Sequence, residues 1–434
     1  MTTDTAAPPT GRYGWWVVFV LIIAYTFSYI DRTILSLMVG PIRASLGITD
    51  VQLSLLHGLA FALFYTFLGI PIGRLVDRRK RTTIVAVGVG VWSVMTALCG
   101  LAQNFVQMFL ARVGVGVGEA ALSPAAYSML SDWFSGKQLT RALSLYTAAI
   151  YMGGGLATMV GGALIASVPP VTTALTGTLE PWRIVFIAVG LPGLLVALLV
   201  LTLREPVRRG LTSTDVPSFK AVLSYIGKRR GAFGLLILGL AFLSVMWNGV
   251  AAWLPAHFMR NYGWTAGETG MRYGACLLVF GSLGITFGGW LAGRMRDAGK
   301  LDANVRIAVI SALCALPFGA VATLMDDPFV TLGIICAFIF SCAMPHGAAA
   351  AAFQEITPNR MRGQVSAIYL FAINLAGIGI GPTIVALMTE QLYGGDQSVR
   401  YSIATMVAIA APLAALCLLA ARGPYRREME AQDR

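Results

Sequence analysis

Charge is scarce in this chain: aspartate, glutamate, lysine and arginine together make up 12% of its 434 residues. That is about half the share of an ordinary soluble domain, so the chain cannot cover a water-facing surface and a soluble multidomain reading is excluded. Histidine is nearly missing. The three present, His57, His257 and His346, are far apart, and none stands at metal-ligand spacing from a cysteine or carboxylate. A metal site is therefore not expected. Neither is a membrane enzyme, which needs a nucleophile with its base or a cluster of metal ligands. The six cysteines (99, 276, 314, 336, 342, 417) form no CxxC pair and sit inside apolar runs, as small core residues do. No filter-like repeat or ring of charges of the kind a channel uses is visible. Acidic residues number 20 against 32 basic ones, a net charge of +12. The basic residues fall in short clusters between apolar runs, which excludes nucleic acid as a partner. No cleavage-like site follows the polar start MTTDTAAPPTGR, so the first apolar run is expected to be a retained helix rather than a signal peptide.

Apolar residues fill the space: 57% of the chain is hydrophobic, and the mean hydropathy is +0.73. A membrane-crossing helix needs about 20 mostly apolar residues. Twelve such runs are present, at 14–40, 52–75, 82–102, 105–131, 141–168, 182–203, 232–259, 270–293, 305–325, 328–354, 363–390 and 399–421. Nothing alternates in the manner of a membrane β-barrel. The expectation is an all-α membrane protein of twelve transmembrane helices. Lysine and arginine favour cytoplasmic segments. With the N-terminus inside, 25 of the 32 fall on the cytoplasmic side, five outside, and Arg32 and Arg112 within helices. Both termini are thus expected in the cytoplasm of a cell bounded by this inner membrane.

The longest connection, 204–231, separates an N-terminal six-helix bundle (1–203) from a C-terminal bundle and tail (232–434). It contains PSFKAVLSYIGKRR, a candidate amphipathic helix at the membrane surface. An internal repeat supports the division. Gly73-Arg74-Leu75-Val76-Asp77-Arg78 after the second run corresponds to Gly289-Trp290-Leu291-Ala292-Gly293-Arg294 after the eighth, 216 positions on. A fainter echo pairs Asp132…Arg141 with Glu355…Arg362. Two parallel halves related by an axis along the membrane normal form the architecture of a large transporter class.

The stretch GRLVDRRKR resembles the loop signature of the major facilitator superfamily, with Gly73, Asp77, Arg78 and Arg81 matching and Lys80 standing where the family usually has glycine. The resemblance implies a cytoplasmic gate there, in which the aspartate holds the two halves together in the outward-open state. That role carries over to Asp77 alone, since Gly293 cannot supply it in the second half. TFSYIDRTILS in the first helix and ARVGVGVGEAALSPAAYSMLSDWF in the fourth resemble the Spinster branch. That branch moves lysolipids and sphingoid phosphates. Proton-coupled organic-anion carriers share a similar first-helix pattern.

Four charges stand out within the apolar runs: Asp31, Arg32, Arg112 and Glu119. Each costs roughly 2.5–3.5 kcal/mol at the bilayer centre, on the order of 10 kcal/mol together if unpaired, so they must face a bundle interior and find partners. Arg112 and Glu119, seven residues apart, share one helix face. At 1.5 Å per residue, Asp31 falls between them in height. Gly114 and Gly118 permit close packing beside them. The functional reading is a proton-coupling site of Glu119 and Asp31, with Glu119 the preferred carrier if Arg32 or Arg112 holds Asp31 ionised. Either arginine can instead receive an anionic head group bidentately, and a fixed buried ion pair that merely packs helices is the structural alternative.

Tyr146, Tyr151, Trp247, Asn248 and His346 are further candidate lining residues; packing is the plainer role for any one of the aromatics. A polar N-terminal wall facing an apolar C-terminal one suits an amphipathic substrate. The expectation is thus a monomeric, proton-coupled transporter of lysolipid or sphingoid phosphate, working by alternating access without a cofactor. A proton symporter of small organic anions is the alternative.

Overall fold

The computed structural model describes residues 12–169, 171–173, 177–208, 218–358 and 360–432. Twelve helical spans are long and apolar enough to cross a membrane. They are Arg12–Leu37, Asp50–Gly69, Arg81–Leu101, Phe105–Trp133, Arg141–Ser167, Pro181–Leu201, Arg230–Tyr262, Ala266–Asp297, Ala303–Ala322, Pro328–Glu355, Arg362–Tyr393 and Asp396–Ala431. Each expected run finds its span. Helices are the outcome because, in lipid, every backbone N–H and C=O must be satisfied within its own segment.

The spans form two six-helix bundles of like design. The third span packs on the sixth, and the first on the fifth; the ninth and seventh each pack on the twelfth. Across the halves, the second span meets the eleventh, the fifth meets the eighth, and the first meets the seventh. Small residues allow these approaches. A side chain on Gly155 would sit 2.7 Å from the Gly274 carbonyl and the Leu278 nitrogen, and one on Gly58 would sit 2.4 Å from the Ile378 carbonyl.

Breaks in the helices recur in matching places. The fourth span pauses between Phe105–Glu119 and Leu122–Trp133, and the tenth between Pro328–Ala343 and Pro345–Glu355. The second is broken at Gly58, between Asp50–His57 and Leu59–Arg78. The eighth carries a π-helical segment, Leu277–Gly281, and the eleventh carries two, Leu375–Ile380 and Met388–Tyr393. Such wide turns mark functional positions more often than chance.

Three features depart from or extend the sequence reading. Val171–Thr173 and Gly177–Leu179 form a short antiparallel hairpin between the fifth and sixth spans, pairing Val171 with Leu179. The last helix, Val399–Gln432, continues well past residue 421, through Pro424. Its extension is anchored by Glu428, which accepts from Arg229 Nε at 2.7 Å, and by Tyr425, whose hydroxyl donates to Glu355 at 2.5 Å. The connection between the halves holds the helix Phe219–Lys228, capped by Ser218; its preceding residues 209–217 lie outside the described ones. All six cysteines are free, and Cys276 and Cys336 face each other with sulfurs 3.1 Å apart.

Candidate functional site

Two of the four intramembrane charges meet, Arg32 of span one and Glu119 of span four. Arg32 turns to Glu119: its Nε donates to Glu119 Oε2 at 2.7 Å, and a terminal nitrogen lies 2.5 Å from the same oxygen. Ser28, one turn earlier on the first span, donates its hydroxyl to that oxygen at 2.5 Å. Arg112 does not meet a carboxylate. It bridges two backbone carbonyls, donating from Nη1 to Asp31 at 3.1 Å and from Nε to Leu56 at 3.3 Å. It thereby ties the fourth span to the first and second.

Asp31 is 2% exposed, and among the described residues its carboxylate forms no ion pair; its Oδ1 has no hydrogen-bond partner. Neither arginine forms an ion pair with Asp31: Arg112 lies close to it but directs its donors to backbone carbonyls, and Arg32 turns to Glu119. The reason is helical geometry. Neighbouring residues project about 100° apart, so Arg32 shares the face of Ser28 and points at span four, while Asp31 points elsewhere. Glu119 Oε1 is likewise buried without a partner. Glu119 is the last residue of its helix, where the break at Ala120 interrupts the regular backbone.

Aromatic rings surround the Arg32 guanidinium. Its central carbon lies 4.5 Å from the Phe61 ring, 5.1 Å from Tyr65 and 5.4 Å from Tyr29. Tyr25 extends this wall, edge-on to Tyr29 at 5.2 Å and stacked on Tyr146 at 4.9 Å, and Tyr127 meets Tyr146 edge-on at 5.5 Å. Tyr25, Tyr29 and Arg32 recur at helical spacing, a signal for one shared face that was legible beside Asp31. Phe61 and Tyr65 on span two share a face by the same spacing, but no charge stands beside them in the sequence to single them out.

From the fifth span, Tyr151 reaches across to the C-terminal half. Its hydroxyl lies 3.3 Å from His346 Nδ1, and its ring lies 5.8 Å from Trp247. A side chain on Gly281 would collide with the Tyr151 ring at 2.1 Å, so the π segment of span eight needs glycine there. Asn248 turns back on its own helix, donating to the Ser244 carbonyl at 2.9 Å and hydroxyl at 3.3 Å. Tyr146 belongs to the N-terminal tyrosine wall rather than to this group.

At the end opposite the chain termini, the halves are joined by ions that the sequence reading did not assemble. Arg260 grips Asp50 with two bonds of 2.7 Å. Arg43 contacts Asp50 at 3.2 Å and Asp396 at 2.8 Å. Glu390 accepts from the backbone N–H groups of Asp50 and Val51, the latter at 3.2 Å, and Ser54 donates to Thr383 at 3.2 Å. These residues sit outside or at the ends of the apolar runs, where charge is unremarkable. Only their meeting across the halves gives them meaning, and no sequence pattern announces that.

At the other end, Gly73 lies half-buried in the second helix and Arg78 is exposed at its terminus. The side chain of Asp77 lies outside the described residues. Arg81 is buried and ties the start of the connection to the N-terminal half. Its Nε donates to Glu205 at 2.7 Å and its Nη2 to the Pro206 carbonyl at 3.0 Å; its Nη1 meets Asp132 and, at 2.9 Å, the Ser128 hydroxyl. The C-terminal half repeats the theme: Glu355, the counterpart of Asp132, accepts from Arg296 and, at 2.7 Å, from Asn304. The faint sequence echo of Asp132 and Glu355 is a shared clasp.

Comparison with known proteins agrees with this architecture. Residues 21–382 match the model of the Major Facilitator Superfamily, and the chain belongs to that family of membrane transporters. It is 29% identical to an MFS-type efflux pump of Mycolicibacterium smegmatis over 98% of this chain and 97% of that one. It is 24% identical to a probable L-galactonate transporter of Escherichia coli over 86% of this chain and 84% of that one. Its structure is similar to that of a bacterial homologue of the human lysosomal transporter Spinster, captured inward-facing and unoccupied. The TM-score is 0.78 with 26% identity, covering 98% of both chains.

Proposed function

We propose that the protein is a proton-coupled secondary transporter working by alternating access, and that its substrates are amphipathic lysolipids or sphingoid phosphates. The observation that carries the proton coupling is a pair of buried carboxylates in unequal surroundings. Each has one buried oxygen without a hydrogen-bond partner, but Glu119 is ion-paired to Arg32 and bonded by Ser28, while Asp31 has no ion pair among the described residues. A proton satisfies such an oxygen without a counter-ion, and an approaching arginine releases it. Rocking of one bundle against the other, accompanied by a shift of span one against span four inside the first bundle, exchanges these conditions. Both carboxylates are therefore assigned to proton carriage.

Arg32 keeps 19% of its side chain exposed, enough for an anionic head group to compete for it with Glu119. Substrate binding and proton binding then act on one ion pair. The tyrosine wall and the Tyr151–Trp247 group offer surface to an amphipathic body, and the likeness to the Spinster structure supports that substrate class. We read the state as inward-facing: the ion-paired end is the outer one, the halves are 1–203 and 232–434 joined by 204–231, and the chain functions as a monomer in the cell membrane with both termini cytoplasmic. A second reading, symport of a small organic anion on Arg32, draws on the galactonate relative.

Proteoliposomes under an imposed pH gradient test both. Uptake of a labelled lysophospholipid, unaffected by excess galactonate, is expected. Strong competition by the short carboxylate, with none by lysolipid, selects the second reading. Glu119→Gln is expected to remove the pH dependence of transport and lower gradient-driven uptake at least about tenfold while the protein stays monodisperse; an unchanged pH profile places the proton elsewhere.

A further inference from the structure

We propose that Glu390 is a positioning residue of the transport cycle: a helix cap supplied by one half of the molecule to the other, which latches the end opposite the termini shut. The second span begins with the short helix Asp50–His57. The first N–H groups of a helix have no partner within it. Here Thr49 accepts from the Gln52 N–H at 3.2 Å, and the Gln52 side chain accepts from the Thr49 N–H at 3.0 Å, a complete capping box. That leaves the N–H groups of Asp50 and Val51, and both donate to one oxygen of Glu390 on span eleven. A carboxylate at this position also meets the positive end of the helix dipole.

The local frame is built to hold Glu390 there. It sits in the π segment Met388–Tyr393, whose wide turn shifts it relative to the regular helix before it. Its neighbour Thr389 is pinned by hydrogen bonds to the Val385 carbonyl and the Ser402 hydroxyl, both 2.8 Å. Charges around it come from both halves: Asp50 and Arg43 from the first, Arg260 and Asp396 from the second. Separation of the halves at this end replaces the shared cap with water. The cap therefore weights the closed state directly, through groups that belong to different bundles. This rests on the rocking motion proposed above and on nothing about substrate or proton.

Ser54 provides the reporter, because it is fully buried and touches Thr383 across the halves. In full-length protein carrying Ser54→Cys, reconstituted in nanodiscs, the rate of labelling by a hydrophilic maleimide reads how often this end opens. Glu390→Ala is expected to raise that rate about five- to thirty-fold, the population change of losing one helix cap. Glu390→Gln, which keeps an acceptor oxygen but no charge, is expected to fall between Ala and the parent. Unchanged labelling in a monodisperse Ala or Gln variant overturns the latch, as does a lowered melting temperature with no change in labelling, which marks a merely structural role. Failure of the proton or lipid assays above leaves this labelling result untouched, so the two readings fail separately.

Discussion

Arg112 shows how far a single residue departs from its apparent purpose. A buried arginine two turns from a glutamate invites an ion pair, yet its planar fork joins two main-chain carbonyls, those of Asp31 and Leu56, on two different spans. Only a group with several donors in a fixed geometry can do that. Arg112→Lys is expected to retain one of these bonds and Arg112→Ala neither, so thermal stability in detergent should fall in the order parent, Lys, Ala. Each abandoned carbonyl costs about 1–3 kcal/mol; equal losses for both variants would count against the fork. At this scale the sequence disclosed that Asp31, Arg32, Arg112 and Glu119 matter, since charge in lipid demands partners. It did not disclose which partner each finds. Pairing depends on helix rotation, and a rotation of one residue's angle decides whether Asp31 or Arg32 faces Glu119.

Among the elements, glycine contacts set the closeness of the halves. Spans five and eight meet through Gly155 against Gly274 and through Gly162 against Gly270, with a side chain at Gly270 falling 2.6 Å from the Thr158 carbonyl. Valine at position 155 must push the eighth span away. Gly155→Val is expected to hold the end opposite the termini apart and to raise labelling of Ser54→Cys several-fold, with little loss of folded protein because each bundle keeps its own core. Labelling equal to that of the parent would show that this contact does not govern closure. Of the glycines at 153–155, the structure uses Gly155 as the close approach. The helix breaks beside Glu119 and His346 were also hidden, because the apolar runs continue across them.

For the molecule as a whole, the connection between the halves is fastened at both ends. Arg208 donates to the Val76 and Arg79 carbonyls of the N-terminal half, and Tyr225 donates to the Ile356 carbonyl of the C-terminal half at 2.9 Å. Arg81 and Glu205 secure the first attachment. Burial raises the Glu205 carboxyl, but the hydrogen bonds from the Arg81 side chain and from the Thr82 and Arg81 backbones outweigh it, and the group is held below the ordinary glutamate range. A carboxylate depressed in the folded state contributes stability that is present above its unfolded value and lost as the pH falls through the folded one. The Thr82 amide, which donates to Glu205 at 3.0 Å, is expected to be protected from hydrogen exchange at neutral pH and to lose protection as the pH falls from about 7 to about 3. Glu205→Gln should weaken that protection throughout; protection that ignores both acid and substitution would refute the fastening.

The number of spans, most of their boundaries within a few residues and the presence of two related halves were fixed by composition and spacing, because a long unbroken apolar run in lipid must be a helix and such runs count themselves. The same solvent marked the intramembrane charges as important. Tertiary structure alone decided that Glu119 rather than Asp31 takes Arg32, that Tyr151 crosses to His346, and that Arg43, Asp50, Arg260, Glu390 and Asp396 close one end. Those meetings join residues up to several hundred positions apart at the helix ends and breaks, where hydropathy carries no directional information.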